Sequence, residues 1–159
     1  MHLIRRMTIT LLATLVAVVG LVAATGGASA AKTFPPNFKV TTDRPTLADL
    51  NDIVEFLVET PASDQAKAAN VEGGMNAVIV PKTVYSLGLF RAPRGWNEVT
   101  GPLVQKGNSV TATLNSGSAG RPTIRMTIEF KKLDGNWKLA ASSLCQGVKT
   151  VGLNIYCNS

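Results

Sequence analysis

The chain has 159 residues, 45% of them apolar and 16% charged, which fits one globular domain plus a short appendage. Its formal net charge is +6 and its single histidine is His2. With no histidine beyond that position, Ser-His-Asp and Cys-His catalysis and histidine-ligated zinc are excluded from the body of the chain.

The N-terminus carries the three parts of a secretory signal peptide: a basic start from Met1 to Arg6, an apolar run from Met7 to Ala24, and the small-residue tract Thr25 to Ala30 ending in Ala-x-Ala. The pattern predicts a signal peptide over 1–30, cleaved after Ala30, with membrane contact only before cleavage. An uncleaved anchor is the alternative, because an apolar run of this length can just span a bilayer core. Arg5-Arg6 reads as ordinary n-region charge rather than a twin-arginine signal. No cysteine stands near the cleavage site, so a bacterial lipid anchor has no attachment point. Cleavage would leave 14 basic residues against 10 acids, a net charge near +4, and a secreted or envelope-associated protein.

Residues 31–44 are polar, contain Pro35-Pro36 and show no apolar period, as expected of an extended leader. A single domain is expected over 45–159. Thr46 with Asp49 three residues on is an acidic capping box for a helix. Leu47, Leu50, Ile53, Val54, Leu57 and Val58 fall at helical spacing before Pro61 ends the run. The acids and amides between them, Asp49, Asn51, Asp52, Glu55 and Glu59, are expected on a solvated face. A short helix is expected within 62–70, broken by Val71-Glu72-Gly73-Gly74, whose glycines supply backbone conformations closed to other residues. They are not a phosphate loop, lacking a preceding strand and a Gly-Lys-Ser/Thr signature. Pro81 in a first turn favours a third helix bearing Val84, Leu87, Leu89 and Phe90.

From Trp96 the period changes to two. Glu98 and Thr100 alternate with Val99 and Leu103, interrupted by Gly101-Pro102, which predicts a bulged or edge strand. Val110, Ala112 and Leu114 form the next strand, and residues 116–120 a looser connection. Ile124, Met126, Ile128 and Phe130 alternate with Arg125, Thr127, Glu129 and Lys131, and after Asp134-Gly135 the alternation resumes in Trp137, Leu139 and Ala141. The fold class is therefore α+β, with N-terminal helices packed on one face of a four-stranded antiparallel meander.

Cys145 and Cys157 lie in a chain marked for export and can close one small loop, so a structural disulfide is expected. It would pin Val148, Val151, Leu153 and Ile155, too apolar to hang in water, back onto the domain. No cofactor or metal motif is present. Seven of the ten acids lie from Asp43 to Glu72, whereas ten lysines and arginines follow Val80. The sheet half is thus basic, yet export and the lack of an aromatic platform on its polar face argue against nucleic acid. Attraction to an anionic envelope polymer is the reading left for that charge.

Pro45-Thr46, Lys67 before Val71-Glu72-Gly73-Gly74, Val99-Thr100-Gly101-Pro102, Val110-Thr111-Ala112, and Gly135-Asn136-Trp137-Lys138-Leu139 with Ser142 together resemble the low-molecular-weight secreted antigen family of mycobacteria and related actinobacteria, over Pro45 to Ser143. The resemblance implies a cone-shaped NTF2-like or cystatin-like domain, export, immune recognition by a host, and no established enzymatic activity. The cysteine pair departs from the family pattern and suggests a disulfide-bearing branch.

Two functions are expected in competition. The first is a non-catalytic binding domain, in which Tyr85, Phe90, Trp96, Met126, Ile128, Phe130 and Trp137 either line a pocket for a hydrophobic small molecule or simply fill the core. The second is an isomerase or dehydratase of the same fold working through a buried carboxylate. Alternation turns Glu98 and Glu129 outward and Asp134 sits in a turn, leaving only Glu72 and Asp64 for that role, so no catalytic residue is assigned.

Overall fold

The computed structural model describes residues 32–155 and Cys157. The expected signal peptide and the cleavage site after Ala30 lie outside the described residues. Thr46 opens α1 (Leu47–Glu59): its hydroxyl accepts from the Asp49 N–H while the Asp49 carboxylate accepts from the Thr46 N–H. A cap of this kind stabilises a helix by about 1 kcal/mol. The apolar stripe buries Leu50, Ile53, Val54, Phe56 and Leu57, each contributing about 1.5–3 kcal/mol on full burial. Helix α2 (Asp64–Ala68) is capped by Ser63, and Gly73 and Gly74 then take φ of +88° and +55°, which glycine alone adopts without strain. A 3₁₀ turn (Gly74–Asn76) leads into α3 (Ile79–Ser86), with Pro81 in its first turn.

Four strands follow in a simple meander: β1 (Gly95–Lys106), β2 (Ser109–Ser118), β3 (Ile124–Leu133) and β4 (Asn136–Leu139), adjacent in chain order and antiparallel. The β1–β2 ladder breaks between Thr100 and Val104, where Pro102 has no N–H to donate. Asp134 and Gly135 both take positive φ, as a two-residue hairpin turn matching strand twist requires. Val110 and Ala112 of β2, Met126, Ile128 and Phe130 of β3, and Trp137 and Leu139 of β4 join the buried stripe of α1 in one core. The α+β plan of helices on a meander is therefore the observed one.

Four local expectations are revised. Residues 116–118 continue β2 rather than forming a loose connection, since Ser116 donates to Asn97 Oδ1 and Gly117 pairs with Trp96. Asn51 and Glu59 do not sit on a purely solvated face: Asn51 Oδ1 accepts from the Val99 N–H and Glu59 accepts from Asn97 Nδ2, because the outer edge of β1 needs partners for its backbone and amides. The leader is tied down by Val40, which is buried in the core, and by Phe38, whose ring meets Phe56 at 5.1 Å.

The fourth revision concerns the tail. The alternation does not continue to Ala141; instead α4 (Ala141–Thr150) starts there and buries Ser143, Leu144, Cys145 and Val148. It ends in a Schellman motif, with the Leu153 N–H on the Val148 carbonyl, the Gly152 N–H on the Lys149 carbonyl, and Gly152 at φ +67°. The chain thereby reverses, and the Cys145–Cys157 disulfide holds it there with Leu153 and Ile155 against the core. Replacing both cysteines with serine is expected to lower stability by up to about 3 kcal/mol and to raise amide exchange beyond Thr150 while leaving exchange in β2 and β3 slow. Equal melting temperatures for the variant and the parent would contradict this role.

Candidate functional site

Of the seven side chains expected to line a pocket, Phe90, Met126 and Ile128 do so. They face a narrow cavity of about 80 Å³ between the sheet, α1, α3 and α4, whose wall is completed by residues such as Val54, Val84 and Leu144. Among the described residues its polar side chains are Asn97, Ser116 and Ser143, and none of them is ionisable. The other four lie elsewhere. Phe130 and Trp137 are fully buried in the packed core, where Trp137 Nε1 donates to the Thr42 carbonyl at 2.8 Å. Trp96 turns outward and is 46% exposed. Tyr85 belongs to a cationic cluster described below. Most of the expected pocket is thus filled, and the residual space matches a small apolar fragment rather than a lipid chain.

The larger concavity, about 540 Å³, opens on the surface between the glycine turn, α3, the start of α4 and the tail. Glu72, Ala77, Ile79, Leu144, Ile155 and Cys157 are among its walls. Glu72 is fixed there by two bonds from Lys131 Nζ, at 2.9 and 3.1 Å, and by the Ala141 N–H at 2.9 Å. The Lys131 bond above all holds its carboxyl below the usual range. Asp64, the other acid considered, is paired with Lys82 at 2.9 Å on the surface. Neither is placed to face the interior cavity.

Glu59 behaves differently. Burial pushes its carboxyl up, opposed by the Asn97 hydrogen bond. Asn97 Nδ2 also donates to the Phe90 carbonyl, and Asn97 Oδ1 accepts from Ser116, so this acid connects to the cavity wall only through an amide whose own partners are filled.

Lys67 was not among the expected core or site residues. It is 2% exposed, its ammonium donates to the Leu57 carbonyl, and it lies 4.9 Å from the centre of the Tyr85 ring. The Arg91 guanidinium lies over the same ring at 4.4 Å. Two cations thus share one aromatic face system, an arrangement worth more where water is excluded. Burial lowers the Lys67 pKa from 10.5 to about 8, with Asp64 opposing the shift and Arg91 adding to it. The one local hint was a lysine flanked by alanines in a helix that has little else to bury.

Among the described residues no group of acids, cysteines or histidines could hold a metal ion, and no helix is long and apolar enough to cross a membrane. A family model described as low molecular weight antigen MTB12, C-terminal domain, matches residues 43–155 of the chain. No curated protein matches it.

The buried ammonium makes stability depend on pH. Because the folded pKa of about 8 lies below the unfolded value of 10.5, the unfolded chain binds more protons between them, and the contribution of this group to stability rises with pH through that window. The slope is at most about 1.4 kcal/mol per pH unit. The urea midpoint of the parent should therefore rise relative to that of Lys67→Met as pH increases from 7 to 10. Parallel curves would show that Lys67 keeps its proton throughout.

Proposed function

The chain belongs to the low molecular weight antigen MTB12 family through its C-terminal domain, and from that premise we propose that it is an exported, non-catalytic binding domain. The observation that carries the non-catalytic part is the interior: an 80 Å³ cavity with no ionisable group among the described residues that line it offers none of them to move a proton and no room for a substrate of ordinary size. The carboxylates considered for an isomerase or dehydratase, Glu72 and Asp64, are committed to Lys131 and Lys82. Binding then takes place on surface concavities of the body rather than inside it.

Export is supported by the signal-peptide pattern of residues 1–30 and by the disulfide, which persists in oxidising compartments. The proposal extends to the destination, the medium or the cell envelope. Intact-mass analysis of the protein recovered from the medium of an expressing bacterium tests it. We expect a chain beginning at Ala31 and lacking two hydrogens relative to the dithiol. Retention inside the cell with Met1 in place, or two free thiols, would overturn the reading.

A further inference from the structure

Trp96 stands on the outer face of the sheet, opposite Gly117 in the β1–β2 ladder. Its indole lies over that glycine: a Cβ built at 117 would come within 2.4 Å of Nε1 and 2.8 Å of Cε2. The side chain is otherwise half exposed, and Nε1–H has no hydrogen-bond partner among the described residues. Beside it is a concavity of about 240 Å³ walled by residues such as Pro93, Arg94, Trp96, Gly117, Arg121 and Thr123, with no carboxylate among the described residues of its lining. The Arg94 side chain makes no ion pair among the described residues, and Arg121 spends only Nη1, on the Val151 carbonyl at 2.8 Å.

An indole face, two guanidinium groups and the exposed Thr123 hydroxyl in one shallow, open site are complementary to a ring with an apolar face, hydroxyl groups and an anionic substituent. We propose that this concavity binds an acidic polysaccharide, one sugar ring stacked on Trp96 and its carboxylate or phosphate held by Arg94 and Arg121. The proposal rests on the binding-domain reading and gives it a site and a ligand class. A single-stranded nucleic acid would call for successive aromatic platforms along a groove, whereas the described residues of the lining include one aromatic ring. A protein partner would call for an apolar core around the indole, whereas its outward neighbours along the sheet are Glu98, Asn115 and Arg125.

Calorimetric titration of the disulfide-bonded protein with polygalacturonate, a phosphomannan, neutral dextran and oligo(dT) tests this. Binding of at least one of the two acidic polysaccharides, weakening as salt rises, is expected, with none for dextran and weaker binding of oligo(dT). Trp96→Ala should weaken it at least tenfold, as should the pair Arg94→Ser and Arg121→Ser, and Gly117→Ala should weaken it by displacing the ring without removing it. Emission from the buried Trp137 reports whether the Trp96→Ala protein is folded; if it is not, the Arg94→Ser variant, altered in an exposed turn, decides. Failure of both acidic polymers to bind, equal binding of dextran, tighter binding of oligo(dT), or unchanged affinity in the folded variants would each overturn the proposal. None of these results bears on the proposal of export, which the mass of the secreted chain tests separately.

Discussion

β4 is only four residues long, and the structure depends on how its free edge is closed. A short last strand leaves unpaired backbone groups beside the largest buried side chain, Trp137, and neither can be left to water without loosening the core. Two upstream segments close it. The leader supplies Val40, whose carbonyl accepts from the Trp137 N–H and whose N–H donates to Asn136 Oδ1, and Thr42, whose carbonyl takes the indole N–H. The segment after α2 supplies a single parallel bridge, Val71 to Leu139, flanked by the Leu139 N–H on the Asn70 carbonyl and the Glu72 N–H on the Leu139 carbonyl. The extended leader is for this reason part of the fold.

What was legible in the chain was what local chemistry decides. Thr46 and Asp49 close their capping box within one turn, and Asp134-Gly135 satisfies a hairpin by itself, so α1 and the β3–β4 turn could be read directly. Helix α4 could not: Ala140 offers no capping side chain, Gly147 interrupts the pattern, and the N–H of Ala141 is satisfied by Glu72 from 69 residues away. Trp96 was misplaced for a different reason. Its apolar character suggested the core, yet it shares strand parity with Glu98 and Thr100, and parity governed the outcome. That placement also puts an aromatic ring on the basic polar face, where none was expected. Phe130 and Trp137, assigned to a pocket by type alone, were needed to fill a small interior.

The connector from α1 to α3 shows how burial of charge is tolerated in so small a body. Each end of a helix leaves backbone groups without partners, positive in sense at the N-terminus and negative at the C-terminus. At the end of α1 the Phe56 carbonyl takes the Thr60 hydroxyl, and the Leu57 carbonyl takes the buried ammonium of Lys67. At the start of α4 the first N–H takes the carboxylate of Glu72. One short segment thus delivers a cation to a helix C-terminus and an anion to a helix N-terminus, each of the sign the local dipole favours. The two are not equivalent. Glu72 is also paired with Lys131 and holds its charge easily, whereas burial above all, with Arg91 adding to it and Asp64 opposing, disfavours the charged form of Lys67, so of the two charges it is the one held less firmly.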